Sequence, residues 1–233
     1  MRARLIESHE IAPGVRHFLF AAEGVERLEY TPGQFVSLSA ECDGKTITRA
    51  YSLASAPRGD NRFELCLNRV DGGHVSPLLF GMQPGDCIET RPPLGMFVMR
   101  QPLRESVFIA TGTGIAPFRA MLQGHLTPTG PPITLLFGVR YESHLMYRDE
   151  FEAMARNVPQ FRFWPTLSRP GETWTGRSGH VQTHLAEAAA NSSNDRRNLD
   201  VYLCGLKQMV DDTRGILKEM GFDRKQIFYE KYD

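Results

Sequence analysis

The stretch Ser106–Pro117, SVFIATGTGIAP, decides the fold of this chain. An apolar strand pattern leads directly into two glycines separated by threonine, and a helical pattern follows. Glycines at such a turn let backbone N–H groups approach a pyrophosphate, and the start of a helix favours its negative charge. Because Pro117 stands where a third glycine would, this is not the ordinary GxGxxG dinucleotide motif. A plain strand-to-helix turn remains the alternative at this point.

Strands and helices alternate from this stretch to the end of the chain. Apolar strands that alternate with helices form a parallel sheet with helices on both faces. We therefore predict an α/β parallel-sheet nucleotide-binding domain over residues 103–233. Its further strand-like runs are ITLLFGVR, FRFWPTLS, DVYLCG and QIFYEKY.

The N-terminal half has a different pattern. Turns with Gly and Pro, such as Thr31–Gln34 and Gln83–Asp86, separate short strand-like runs, which predicts a small antiparallel β-barrel or sandwich over residues 1–102. A short helix is predicted around Val75–Phe80. The runs are VRHFLF, QFVSLSA, TITRAYSLA, RFELCLNRV, DCIETR and MFVM. The fold class is therefore a two-domain chain, an antiparallel β-barrel followed by an α/β domain.

The composition excludes several classes of protein. The chain has 27 basic and 27 acidic residues, so it lacks the basic excess of a nucleic-acid-binding protein. No apolar run approaches the roughly 18 residues that span a bilayer. The N-terminus, MRARLIESHEIAPG, lacks the apolar stretch of a secretory signal. We expect a cytoplasmic protein with no nucleic-acid or membrane partner.

The cysteines do not indicate a metal site. Cys42, Cys66, Cys87 and Cys204 lie far apart with no CxxC pair, unlike the ligands of zinc or of a local iron–sulfur cluster. We expect the first three to be reduced, buried thiols.

The strongest signal in the N-terminal half is RAYSLAS, Arg49–Ser55. On a strand Arg49, Tyr51 and Leu53 share one face. An arginine beside a tyrosine can bind a phosphate and stack on a flat ring. A cross-strand Arg–Tyr pair without a ligand is the alternative.

Taken in chain order, the motifs RAYSLAS, GGHVS, PPLGMF, GTGIAP and LCGLKQMV, with the tail EKYD, resemble those of the ferredoxin–NADP reductase superfamily. The resemblance covers essentially the whole chain. It implies that the barrel binds FAD and that the α/β half binds a nicotinamide cofactor.

For FAD, the resemblance implies that Arg49 pairs with the pyrophosphate, with Ala50 beside it. It further implies that Tyr51 stacks on the isoalloxazine and that Ser52 forms a hydrogen bond near the N5 atom of the flavin. Pro93–Phe97 would close the barrel near the flavin, or alternatively only pack in the core. The turn that supplies further donors to the pyrophosphate comprises Gly72, Gly73, His74, Val75 and Ser76.

For the nicotinamide cofactor, the resemblance places Cys204 beside the ring, and Glu230 and Tyr232 in a C-terminal Glu-x-aromatic motif that covers the flavin and positions the ring. The chain departs from that motif by carrying Asp233 beyond Tyr232. Further cofactor-binding residues are Thr111, Gly112, Thr113, Gly114, Gly205 and Met209. The implied catalytic residues are Ser52, Cys204, Glu230 and Tyr232.

The choice of nicotinamide cofactor depends on Ser168 and Arg169, with Arg177 and Arg140. The resemblance implies this, because NADP-using members of the superfamily carry a serine and an arginine here that can hold the 2′-phosphate of NADPH through a charge-assisted pair. The alternative is a solvated loop with two arginines, and relatives that use NADH can have a similar sequence here. We favour NADPH.

We expect NADPH to deliver a hydride to flavin N5, and the reduced flavin to pass single electrons to a separate ferredoxin or flavodoxin. We expect the protein itself to be a monomer. One alternative is an NADH-dependent reductase component that serves an oxygenase or free flavin. The other is a flavin-bearing electron-transfer subunit of a larger complex, without turnover of its own. Subunits of that kind carry a C-terminal cysteine cluster, and the tail FDRKQIFYEKYD contains no cysteine. An acidic ferredoxin would require a basic rim from arginines such as Arg2, Arg4 and Arg58.

Overall fold

The computed structural model describes residues 1–192 and 196–232. The chain forms two compact units, Met1–Val98 with Ala116–Gly124, and Met99–Ile115 with His125–Asp233. The predicted domain limits, 1–102 and 103–233, stay a prediction. Asp233, the residue by which the chain departs from the Glu-x-aromatic motif, lies outside the described residues.

The first unit is built on a six-stranded antiparallel sheet in the order β4-β3-β6-β1-β2-β5. A single short helix, α1 (Val75–Gly81), lies between its last two strands in the chain, as predicted. The strands are β1 (Arg2–Ala12), β2 (Val15–Ala22), β3 (Phe35–Cys42), β4 (Lys45–Ser52), β5 (Arg62–Asn68) and β6 (Cys87–Thr90).

The two outer strands of this sheet meet. Leu53, directly after β4, forms an antiparallel bridge with Leu65 of β5, which joins the edges and closes the sheet in the manner of a barrel. The predicted antiparallel barrel is therefore confirmed. Its interior is filled by stacked phenylalanine rings and by the apolar face of α1, including Phe18, Phe20, Phe63, Val75 and Leu79.

The strand predicted at Met96–Met99 is wrong. Two prolines precede it and cannot donate ladder hydrogen bonds, and Gly95 has a φ of +117°, so the chain turns there. Leu94 alone pairs with Phe35, through N–H···O bonds of 2.8 and 2.9 Å.

The second unit is a six-stranded sheet in the order β10-β9-β8-β7-β11-β12, and every pairing in it is parallel. The predicted α/β class is confirmed. Its strands are β7 (Glu105–Thr111), β8 (Ile133–Val139), β9 (Phe161–Leu167), β10 (Arg177–Ser178), β11 (Leu199–Leu206) and β12 (Ile227–Tyr232). The helices of this half of the chain are α2 (Ile115–His125), α3 (Arg148–Asn157), α4 (Leu185–Ala190) and α5 (Lys207–Glu219).

Helices cover both faces of this sheet. Residues of α4 and α5 pack in one apolar cluster with Trp164 of β9. Phe163, which directly precedes Trp164 on β9, points to the opposite face of the sheet. Its ring centroid lies 5.4 Å from that of Phe151 in α3. The cluster on the first face includes Leu185, Ala188, Val210 and Leu217.

All four cysteines are free thiols. Cys66 is buried as expected, but Cys42 and Cys87 are only partly buried, so the expectation is wrong for these two. Cys42 is the last residue of β3, and Cys87 shares the outward face of β6 with the exposed Glu89. Among the described residues, no helix is long and apolar enough to cross a membrane.

Candidate functional site

The predicted flavin motif forms the end of strand β4. Arg49 and Ala50 are exposed, Tyr51 is half-buried against the barrel core, and Ser52 is buried. Burial raises the pKa of Tyr51 to about 12, with Arg49 opposing the shift, so the phenol stays protonated at neutral pH. The motif therefore presents an exposed cation next to a rigid aromatic ring.

The predicted pyrophosphate turn precedes helix α1. Gly72 has a φ of +77° and no atom within 4 Å of the place a Cβ would take. Ser76 Oγ accepts a bond from the N–H of Val70 at 3.0 Å, which braces the turn. Nδ1 of His74 lies 3.2 Å from the sulfur of Cys42. The side chain of Val75 is buried in the core, which leaves its backbone for a contact with the pyrophosphate, and that contact stays a prediction.

The Pro93–Phe97 segment is packed tightly against β3. A Cβ on Gly95 would lie 3.0 Å from the ring of Phe35. Phe97 is buried and meets Phe118 edge to face at 5.8 Å. Core packing is thus part of its role, and its closeness to a flavin stays a prediction.

The predicted nucleotide turn follows strand β7 and packs against the end of strand β11. A Cβ on Gly114 would lie 2.3 Å from the carbonyl oxygen of Cys204, and one on Gly205 would lie 2.2 Å from Oγ1 of Thr111. That hydroxyl accepts the N–H of Leu206 at 3.2 Å. Glycine is required at both places because backbone or hydroxyl atoms occupy the space of a side chain.

Cys204, Glu230 and Tyr232 come together at the carboxyl ends of β11 and β12. Cys204 is paired with Glu230 in the sheet register, and Leu206 with Tyr232. Burial raises the pKa of the Cys204 thiol well above its ordinary value, and the charge of Glu230 adds to this, while a hydrogen bond with Tyr232 opposes it. The thiol therefore stays protonated and is no thiolate nucleophile.

The predicted 2′-phosphate residues divide into two groups. The backbone N–H groups of Ser168 and Arg169 bond to the carbonyls of Val139 and Arg140 at 3.0 and 2.9 Å, which holds the two strand ends side by side. The side chains of Arg140 and Arg169 are exposed, and Arg169 Nη1 lies 3.4 Å from the hydroxyl of Tyr141.

Arg177 belongs to the other group, because its guanidinium already has partners. It forms two hydrogen bonds with Glu187, at 2.5 and 2.7 Å, and lies 3.8 Å from the centre of the Trp164 ring. It also forms part of β10, so it does not lie in the solvated loop that was the sequence-based alternative. Met209, likewise, is buried in the apolar cluster of the sheet.

The basic rim expected from Arg2, Arg4 and Arg58 stays a prediction. Arg2 and Arg4 both pair with Glu23, and Arg58 pairs with Glu64, so part of their charge is compensated within the first unit. Sequence reasoning missed Arg119, which is buried and bonded to Glu64. The Arg4–Glu23 and Arg119–Glu64 pairs join residues 19 and 55 positions apart, for which no sequence spacing gives a signal.

The residues at these places fit a flavin and a nicotinamide dinucleotide. Gly72 and Gly112 both have positive φ and open space at the Cβ position, so a phosphate can approach their backbone N–H groups. The guanidinium of Arg49 and the ring of Tyr51 match the charge and the flat ring of FAD.

Comparisons with known proteins agree with this assignment. Residues 2–99 match the family model described as oxidoreductase FAD-binding domain, and residues 108–215 match the oxidoreductase NAD-binding domain. Ferredoxin–NADP reductase B of Sorangium cellulosum is 39% identical over 238 residues, which cover 99% of this chain and 97% of that protein. The toluate 1,2-dioxygenase electron transfer component of Pseudomonas putida is 30% identical over 89% of this chain, but the match spans only 60% of that relative.

Among solved structures, a ferredoxin NADP+ reductase from Neisseria gonorrhoeae with bound FAD and NADP has a TM-score of 0.86 at 25% identity, covering 99% of this chain and 98% of that one. The similarity thus extends through both units of the chain. The protein belongs to the ferredoxin–NADP reductase family of oxidoreductases, with one FAD-binding and one NAD(P)-binding domain.

Proposed function

We propose that this protein is a reductase that uses NADPH and FAD to supply single electrons to a ferredoxin or flavodoxin. The observation that carries the proposal is the alignment with the S. cellulosum ferredoxin–NADP reductase, which includes both candidate sites and 97% of that protein. When bound, FAD accepts a hydride from the reduced nicotinamide and releases electrons one at a time.

On the barrel, the proposed role of Arg49 is to compensate the pyrophosphate charge, with Ala50 beside it and the Gly72–Ser76 turn adding backbone donors. The half-buried ring of Tyr51 stacks on the isoalloxazine. The hydroxyl of Ser52 lies on a strand end held by the β3 pairing, which suits it to bond near N5.

On the α/β domain, the Thr111–Gly114 turn and Gly205 admit the nicotinamide end of the dinucleotide. The protonated, fully buried thiol of Cys204 acts through its shape and its bond with Tyr232, which limits where the ring can lie. Glu230 is the carboxylate of this group and is adjacent to Cys204 in the sheet. Met209 is buried in the apolar cluster, so its proposed part in cofactor binding is one of packing.

The preference for NADPH is supported by two exposed guanidinium groups, those of Arg140 and Arg169, on adjoining strand ends beside Ser168. Arg pairs with a phosphate through two parallel hydrogen bonds, and such pairs are stronger than neutral ones. Arg177 contributes only if it exchanges Glu187 for the phosphate.

The test is anaerobic reduction of the purified protein. We expect a yellow protein whose visible absorbance bleaches faster with NADPH than with NADH, and which then reduces a ferredoxin or flavodoxin in catalytic amounts. A colourless protein that takes up no added FAD would overturn the proposal.

A second candidate function is an NADH-dependent reductase of an oxygenase. The similarity to the toluate 1,2-dioxygenase electron transfer component favours it. A higher kcat/KM for NADH than for NADPH, together with electron transfer to an oxygenase component but not to a ferredoxin, would decide for this function.

A further inference from the structure

The four residues that follow Ser52 are held on the barrel by a dense set of hydrogen bonds. The N–H of Leu53 donates to the carbonyl of Gln34 at 2.9 Å, and that of Ala54 donates to the carbonyl of Glu64 at 2.8 Å. The N–H of Glu64 in turn donates to Ser55 Oγ at 3.2 Å. The end of the flavin motif is thus tied to strand β5.

Helix α2 holds the same segment from a second side. Nη1 of Arg119 donates to the carbonyl of Ala54 at 2.7 Å and to Oε2 of Glu64 at 2.5 Å. One turn later, Oε1 of Gln123 accepts the N–H of Ala56 at 3.1 Å. The two side chains therefore fix the peptide groups on both sides of Ser55.

Charge makes the Arg119 contact difficult to replace. The side chains of Glu64 and Arg119 are 5% and 11% exposed, and Arg58 donates a further bond to the carboxylate. His17 lies 3.7 Å from Glu64, but burial and the neighbouring guanidinium of Arg119 lower its pKa to about 3, so it is neutral. Within the part of the chain that the structure describes, Arg58 and Arg119 compensate the charge of Glu64. Removing Arg119 leaves a buried carboxylate short of a partner and the Ala54 carbonyl without this donor.

We propose that Arg119 is a positioning residue for the flavin motif, which sets the place of Tyr51 and Ser52 through the Ala54 carbonyl, while Glu64 holds the guanidinium in place. This inference rests on the proposed function, in which those two side chains contact the flavin. A shift of about 1 Å at a reacting centre can cost on the order of 100-fold in rate, so small movements of this segment are measurable.

The test compares Arg119→Gln and Arg119→Lys with the wild-type protein, all loaded with FAD. For Arg119→Gln we expect the limiting rate of flavin reduction to fall about 10–100-fold, with KM for NADPH changed by less than about 3-fold. We also expect a shifted visible flavin spectrum and faster amide exchange at residues 53–56. Arg119→Lys keeps the positive charge but lacks the planar set of N–H donors of a guanidinium. It should therefore recover part of the rate of flavin reduction.

Arg100→Gln is the matched control. Arg100 and Asp200 both belong to the second unit, where the Arg100 guanidinium lies 3.3 Å from the buried carboxylate of Asp200. This variant therefore also breaks a buried ion pair. We expect it to lower the melting temperature without changing the flavin spectrum or the limiting rate.

The inference is overturned if Arg119→Gln, fully loaded with FAD, keeps the wild-type spectrum and rate even though its melting temperature falls. If Arg119→Gln does not fold, the same wild-type result for Arg119→Lys overturns it. A wild-type protein that takes up no FAD contradicts the proposed function instead. In that case amide exchange at residues 53–56 without FAD still tests the anchoring, and unchanged exchange in Arg119→Gln contradicts it.

Discussion

Gly114→Ala tests the close contact between the nucleotide turn and strand β11. The new Cβ would lie 2.3, 2.6 and 2.7 Å from three backbone atoms of Cys204 and Gly205, and Cβ atoms do not approach closer than 3.0 Å. The turn and the strand end must therefore separate by about 0.7 Å, the difference between 2.3 and 3.0 Å. No flexible side chain can relieve the clash, since all three atoms are backbone.

The expected cost is that of overpacking, about 1–3 kcal/mol of stability. At about 2–4 °C per kcal/mol for a chain of this size, the melting temperature should fall measurably. Because the turn is proposed to admit the nicotinamide beside Cys204, we also expect the rate of flavin reduction by NADPH to fall by about 10-fold or more. Thermal unfolding and anaerobic stopped-flow reduction measure the two effects.

Gly215→Ala is the matched control for this prediction. Gly215 lies in helix α5, with no atom within 4 Å of its Cβ position, and alanine there should stabilise the helix by about 0.5–1 kcal/mol. If Gly114→Ala melts like the wild type and its flavin is reduced at the wild-type rate, the reasoning from the backbone contact is refuted.

Three further predictions concern single side chains. Tyr51→Ala should weaken FAD binding by about 0.5–1.5 kcal/mol while Tyr51→Phe retains it, as measured by FAD titration; equal affinities in all three proteins would remove the stacking role. Arg169→Ala should raise KM for NADPH about 10-fold or more and leave KM for NADH unchanged, and parallel changes for both cofactors would contradict the assignment. His17, whose folded pKa of about 3 lies below its ordinary 6.5, binds its proton less readily in the folded state, so wild-type stability should fall as pH drops from 6.5 towards 3, by up to about 1.4 kcal/mol per pH unit. Denaturant unfolding of His17→Gln should lack that component, so its stability relative to wild type should rise in acid; a constant difference across pH would refute the shift.

The strands of the α/β domain could be predicted because each is a continuous apolar run between helical patterns. Two elements of the barrel could not. In β1 the register shifts between Leu5 and Glu7, and this bulge interrupts the period of two on which strand prediction depends. The apolar run Met96–Met99 has strand composition but follows prolines and Gly95, whose backbone angle turns the chain.

For the candidate site, the motifs predicted which backbone segments lie at the strand ends, but not the state of each side chain. Val75 and Met209 are apolar, and each is buried in a core cluster. Arg177 is bound by Glu187, ten residues along the chain. Such partners depend on how elements pack, and packing is not encoded at a fixed spacing.

By itself the sequence determined the two-domain class, the family and the positions of the flavin and nucleotide turns, because glycines, strand periods and motif order are local properties of the chain. Only the tertiary structure decided that Cys204 is a buried, protonated thiol beside Glu230 and Tyr232, and that Arg119 compensates Glu64 and holds Ala54. Arg119 and Glu64 are 55 residues apart. Their charges meet because folding of the first unit brings helix α2 against strand β5, and an ion pair buried there is screened less by water than an exposed one.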